Sequence, residues 1–205
     1  MNSASQTVRP ALERLKPMVA RGLDRAAEVL AALLDASVGI AAPEMSTVHA
    51  SELQSVLGMD GATSISAVEM NFSGRFGGAA QLIFLSEDAG RLADCVTSGL
   101  DLPEHEMESM RSGTLCEVGN VVINAILGTI ANGLAIEFCY TVPLYLHGKP
   151  EEVIATATAG EGIVILVRAR FRVAAVEVEG DIAFFLSLDT MNDLVLAVES
   201  LDDER

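Results

Sequence analysis

The chain has 205 residues, 50% of them hydrophobic, and a net charge of −16 at pH 7, which allows one large or two small domains with a real core. With 13 Lys and Arg against 29 Asp and Glu it lacks the cations that displace counterions from phosphates, which excludes a nucleic-acid role and disfavours an anionic membrane surface. No uninterrupted apolar run reaches the ~18 to 20 residues of a membrane-spanning helix, and the N-terminal segment lacks the apolar stretch of a leader, so a cytoplasmic protein is expected.

Residues 1 to 6 read as a frayed polar tail, and 7 to 36 as a helix in which Pro10 and Pro17 mark a start or a kink and Leu23, Ala27, Leu30 and Leu34 form the apolar stripe. A strand follows over 37 to 49, interrupted at Pro43, and then a short helical turn over 52 to 57. Alternating runs at 62 to 74 and 78 to 86, joined through Gly74 to Gly78, predict a β-hairpin. An amphipathic helix with a glycine stop covers 87 to 99. In the second half a helix over Gly113 to Gly133 precedes strands at 138 to 147, 162 to 174 and 176 to 187 and a closing helix at 189 to 201.

The halves resemble each other. A shift of about a hundred residues lays Ala20 on Asn120, Leu30 on Ile130, Ala31 on Ala131 and Pro43 on Pro143, and one further residue lays Phe84-Leu85-Ser86 on Phe185-Leu186-Ser187. The expectation is a single domain, with repeat 1 over about 7–100 and repeat 2 over about 105–201. Hairpin-joined strands pair antiparallel, so the fold class is α+β: an antiparallel sheet covered on one face by two long helices.

The segment GTLCEVGNVVINAILGTIANG organises the second half. At roughly 100° per residue, Gly113, Glu117, Asn120, Asn124 and Gly128 fall on one narrow face, with Leu115, Val118, Val122, Ile126 and Ile130 opposite. Asn is a poor helix former, and Gly119 and Gly128 each cost about 1 kcal/mol relative to Ala. A helix that accepts such losses on one side is using that side. Glu117 is its sole ionisable group, and the glycines leave room for another molecule to approach.

Cys95, Cys116 and Cys139 sit in apolar settings and read as small buried side chains rather than a disulfide framework. His49, His105 and His147 have no second ligand at helical spacing, so no metal site is expected. There is no nucleophile with an adjacent base, no paired acid and base, and no phosphate loop or cofactor fingerprint of a small-molecule enzyme.

Glu117, two residues, Asn120, then 22 residues to Pro143 resembles the signature of the CheC/CheX/FliY family of response-regulator phosphatases. That pattern opens with Asp or Ser four residues before the Glu; here the place is taken by Gly113, with Ser112 beside it. The resemblance implies a pseudo-twofold fold with the two long helices side by side, and hydrolysis of the phospho-aspartate of a CheY-type receiver that supplies its own Mg²⁺. No cofactor of the chain's own is implied. By that resemblance Asn120 holds the attacking water and Glu117 pairs with the receiver's lysine; from the residues themselves, Gly113 and Gly128 suit close approach and Asn124 adds a contact, and with Ser112 and Pro143 they make up the expected partner-facing surface.

On the first helix the matching positions are Pro17 and Ala20, so the scaffold does not demand the polar pair, and one site is expected where CheC-type members can carry two. A reading of a different class is a non-catalytic module, a switch-like scaffold that docks a receiver or a CheD-like deamidase through the same helix. A monomer and a homodimer are both compatible with the sequence.

Overall fold

In a computed structural model, which describes residues 3–41, 44–59, 62–97, 103–157, 162–174 and 176–200, the elements run in one order twice. The first series is α1 (Ser3–Leu34), β1 (Val38–Ile40), β2 (Glu44–His49), α2 (Leu53–Val56), β3 (Ile65–Gly74), β4 (Gly78–Leu85) and α3 (Ser86–Thr97). The second is α4 (Glu104–Leu134), β5 (Phe138–Tyr140), β6 (Leu144–Gly148), α5 (Pro150–Ala155), β7 (Ile163–Val173), β8 (Val176–Leu186) and α6 (Leu188–Glu199).

The strands expected over 37 to 49 and 138 to 147 are each divided in two, and the helices differ from the sequence reading in three places. Helix α1 is already formed at Ser3, where a frayed tail was expected, and it runs through both Pro10 and Pro17. Helix α4 starts at Glu104 rather than Gly113, because its polar first turns carry no apolar stripe to announce them. Helix α5 has no counterpart in the expectation, since six residues are too few to show a period. The break at Pro43, the stop at Gly99 and Ala175 of the second hairpin lie outside the described residues.

All pairing in the eight-stranded sheet is antiparallel, in the order β1-β7-β8-β4-β3-β5, with β2 also on β7 and β6 also on β3. The short strands of each series thus pair with the long strand of the other, and the two series share one sheet. At its centre β4 lies on β8 with Leu82 opposite Ile182. The ladder is symmetric about that pair, so residues one hundred apart are equivalent: Phe84 shares the helix-covered face with Phe184, whereas Phe185 points to the other face. The extra residue in the sequence alignment falls at the end of β8, before Ser187.

At one edge Tyr140 pairs with Phe72 and Leu144 with Glu69, so Thr141, Val142 and Pro143 oppose only Met70 and Asn71. This is a bulge, a place where Pro143, with no N–H to give the ladder, is tolerated. Thr141 holds it shut: its N–H donates to Asn71 O at 3.0 Å and its Oγ1 accepts from Asn71 N at 3.0 Å.

One face of the sheet, with Val68, Met70, Phe84, Val167, Phe171 and Phe184, packs under α1, α4, α3 and α6. The other, with Ala67, Ile83, Val164, Leu166 and Phe185, packs under α2 and α5 through Leu53, Val153 and Ile154. Helices α1 and α4 lie so close that a Cβ on Gly22 would come within 2.7 Å of Ile126 Cα. Helix α4 is long and apolar enough to cross a membrane by composition, but here its apolar side fills the core. The cysteines are less buried than expected: Cys95 and Cys116 are half-buried and Cys139 is exposed.

Candidate functional site

The candidate site is the side of α4 turned away from the core. Leu115, Val118, Val122, Ile126 and Ile130 are buried, Gly113 and Glu117 are exposed, and Asn120, Asn124 and Gly128 are half-buried. The spacing of three residues sets Glu117 and Asn120 side by side, with Cβ atoms about 5–6 Å apart. A Cβ built on Gly113 or Gly128 would meet nothing within 4 Å, so the ridge is open at both ends. Gly119 has a different reason to be glycine: a Cβ there would lie 2.5 Å from Val68 Cβ. Its helix-propensity loss is explained by close packing of α4 on β3, and not by the site.

The other candidates are placed as follows. Asn124 Nδ2 donates to Asn120 Oδ1 at 2.7 Å, and Asn124 Oδ1 is buried with no hydrogen-bond partner. Ser112 is half-buried and its hydroxyl donates to Ser109 O at 3.0 Å, so its proton is committed to its own helix. Pro143 lies off the helix, half-buried in the edge bulge. Beside the ridge, burial pushes the Cys116 thiol above its ordinary value, a hydrogen bond involving the Tyr145 backbone opposes this, and the charge of Glu117 adds to it. Arg111 Nη2 pairs with Asp94 Oδ1 at 2.7 Å and ties the N-terminal part of α4 to α3.

Helix α1 provides the comparison within the molecule. From Leu15 to Ala20 the succession of buried, half-buried and exposed residues is the same as from Leu115 to Asn120. Pro17 therefore stands where Glu117 stands, and Ala20 where Asn120 does. The fold offers two equivalent ridges, and one of them carries the acid and the amide.

Two polar groupings were not anticipated. Ser64 Oγ lies 3.1 Å from Ser86 Oγ and 3.3 Å from His147 Nε2, and Ser66 Oγ lies 3.1 Å from Tyr145 Oη. On the face under α5, buried Gln81 donates to Glu69 Oε2 at 2.8 Å and to Val153 O at 2.9 Å. The alternation Ser64-x-Ser66 and Tyr145-x-His147 on adjacent strands was the available signal for the first. Nothing local signalled the second, which depends on a cross-strand register.

No protein-family model matches the chain, and no curated protein matches it by sequence. Solved structures do match in fold. FliY of Thermotoga maritima is similar with a TM-score of 0.73 at 13% identity, over 93% of this chain and 96% of that one. The FliM middle domain of H. pylori follows at 0.65 and 10% identity, over 92% and 98%. CheX of Borrelia burgdorferi, in a complex with CheY, BeF3 and Mg²⁺, is similar at 0.54 and 18% identity, over 82% and 96%. Doubled order of elements, crossed pairing of the short strands and these likenesses agree: the chain has the fold shared by FliY, CheX and the FliM middle domain.

Proposed function

We propose that the chain is a phosphatase of the CheC/CheX kind, which speeds hydrolysis of the phospho-aspartate on a CheY-type receiver domain in chemotaxis or another two-component pathway of the cytoplasm. The observation that carries this reading is the open ridge of α4, where Glu117 is exposed beside Asn120 and flanked by two glycines with free space around them. The same place on α1 is equally accessible and has neither group.

Chemically the pair suits a helper. The receiver supplies the acyl phosphate and holds Mg²⁺ and a lysine of its own. Asn120 holds a water in line with the phosphorus without changing protonation, and positioning alone supplies large factors because it turns a rare encounter into a standing geometry. Glu117 makes a charge-assisted contact with the receiver's lysine and seats the helix over the pocket. Gly113 and Gly128 let the receiver's backbone come close.

The test is the decay of a CheY-type receiver phosphorylated with acetyl phosphate in Mg²⁺. The wild type shortens its lifetime; Asn120→Ala removes that effect, and Glu117→Ala weakens binding as well. Undiminished acceleration by both variants overturns the assignment.

A second reading is a non-catalytic scaffold that docks a receiver or a CheD-like protein through the same ridge. It is favoured by Gly113 where the family pattern has Asp or Ser, and by a likeness to the FliM middle domain that is higher in TM-score than that to CheX. Binding to the phosphorylated receiver with no change in its lifetime decides for it.

A further inference from the structure

Asn124 lies one turn beyond Asn120 on α4, and its Nδ2 donates to Asn120 Oδ1 at 2.7 Å. Its own Oδ1 is buried and accepts no hydrogen bond. A buried carbonyl left unpaired is a loss that Leu or Ala at this position would not carry, and Asn is a weak helix former besides. Position 124 is therefore poorly chosen for stability, and the one bond that its side chain makes ends on the residue at the centre of the site. On α1 the matching residues are Ala20 and Asp24, between which no such bond exists.

We propose, on the basis of the phosphatase reading, that Asn124 is a positioning residue that fixes which end of the Asn120 amide faces the receiver. An amide has an accepting end and a donating end of nearly equal shape, and a free Asn side chain presents either. The donor of Asn124 meets the oxygen of Asn120, and turning both amides over would bury an unpaired NH2 group in place of the carbonyl, so the Asn120 Nδ2 hydrogens are the ones turned toward the partner. The same bond draws electron density to Oδ1 and makes those hydrogens stronger donors.

The attacking water is then held through a lone pair that accepts from Asn120 Nδ2, with its second lone pair aimed at phosphorus. In the step itself the water oxygen bonds to phosphorus while the bond from phosphorus to the aspartate oxygen breaks. The electron pair leaves on the aspartate carboxylate, and a water proton passes to a phosphoryl oxygen, giving inorganic phosphate. Asn120 begins and ends neutral, and Asn124 touches neither water nor phosphate.

The experiment measures kcat and KM for a CheY-type receiver phosphorylated by acetyl phosphate in Mg²⁺, with the wild type, Asn120→Ala, Asn124→Leu, Asn124→Asp and Asn124→Gln, and the melting temperature of each. Asn124→Leu removes the unpaired carbonyl, so its melting temperature is equal to or above that of the wild type, while kcat falls roughly 10- to 100-fold at unchanged KM because the amide is no longer held. Asn124→Asp can only accept, turns the Asn120 amide over and lowers kcat at least as far, and Asn124→Gln, which keeps a donor, recovers part of the rate. Wild-type kcat in Asn124→Leu and Asn124→Asp, with Asn120→Ala inactive, overturns the positioning role and leaves the phosphatase reading standing. A wild type that does not accelerate the decay overturns both.

Discussion

Leu82 pairs with Ile182 at the middle of the sheet, and both side chains are 0% exposed. The two residues are equivalent in the doubled order of elements, so the approximate twofold axis passes between them. Around it each half lends the other its edge: β1 and β2 complete β7, and β5 and β6 complete β3.

Neither half should therefore fold alone. A fragment of residues 1–100 leaves β3 without β5 and β6 and uncovers Leu82, and residues 101–205 leave β7 equally bare. Each fragment is expected to melt without a cooperative transition by circular dichroism. An equimolar mixture is expected to recover the transition, because the pairing crosses between the halves.

The glycines of α4 should separate by sign. Gly119→Ala drives a methyl group into Val68 and is expected to lower stability by about 1–3 kcal/mol. Gly113→Ala and Gly128→Ala meet open space and only stiffen the unfolded chain and the helix, for a gain of about 0.5–1 kcal/mol each. Urea unfolding at constant m-value measures all three.

The vacant ridge of α1 permits a gain-of-function test. Pro17 is exposed inside a helix where it removes a backbone hydrogen bond, so Pro17→Glu is expected to raise stability by about 1–3 kcal/mol. Combined with Ala20→Asn and Asp24→Asn in an Asn120→Ala background, it recreates the acid, the amide and the donor one turn on, on the matching ridge. Under the phosphatase reading that variant regains part of the receiver dephosphorylation rate, and the same variant with Asp24 retained regains less.

A pH dependence follows from the exposed side of β7 and β8, where Arg168 Nε donates to Asp181 Oδ1 at 3.0 Å. Burial pushes the Asp181 carboxyl above its ordinary value of 3.8, against the opposing hydrogen bond and charge of Arg168. A carboxyl raised in the folded state contributes stability that is complete below the ordinary value and is lost as pH rises through the raised one. Asp181→Asn is thus expected to gain on the wild type as pH is raised from below 3.8 through that interval, read from urea midpoints. Arg168→Met removes the opposing charge, moves the interval upward and costs roughly 1–2 kcal/mol at neutral pH, a figure reduced for the partial exposure of the pair.

Periodicity made much of this architecture readable. The buried stripe of α4 is the one that the helical wheel gives, and the long strands β3, β4, β7 and β8 follow the apolar runs within a few residues. Glu117 and Asn120 were legible for the same reason, because three residues on a helix fix a shared face whatever packs behind it. Crossed pairing was not legible: Val38 to Ile40 and Phe138 to Tyr140 are too short to prefer one partner, and their register is set by strands over a hundred and about seventy residues away. Gly119 misled for a related reason. A glycine required by contact with Val68 looks, in one dimension, like a glycine left open for a partner.

The bulge at Thr141 to Pro143 shapes what the rim of the molecule can do. Val142, 85% exposed, stands at its crest, and the ladder on either side of it is out of phase by one residue. A foreign strand in step with β6 falls out of step at β5, so neither a second copy nor a misfolded neighbour can zip along this border. On this edge, the device against runaway polymerisation is a single surplus residue ended by an imino acid.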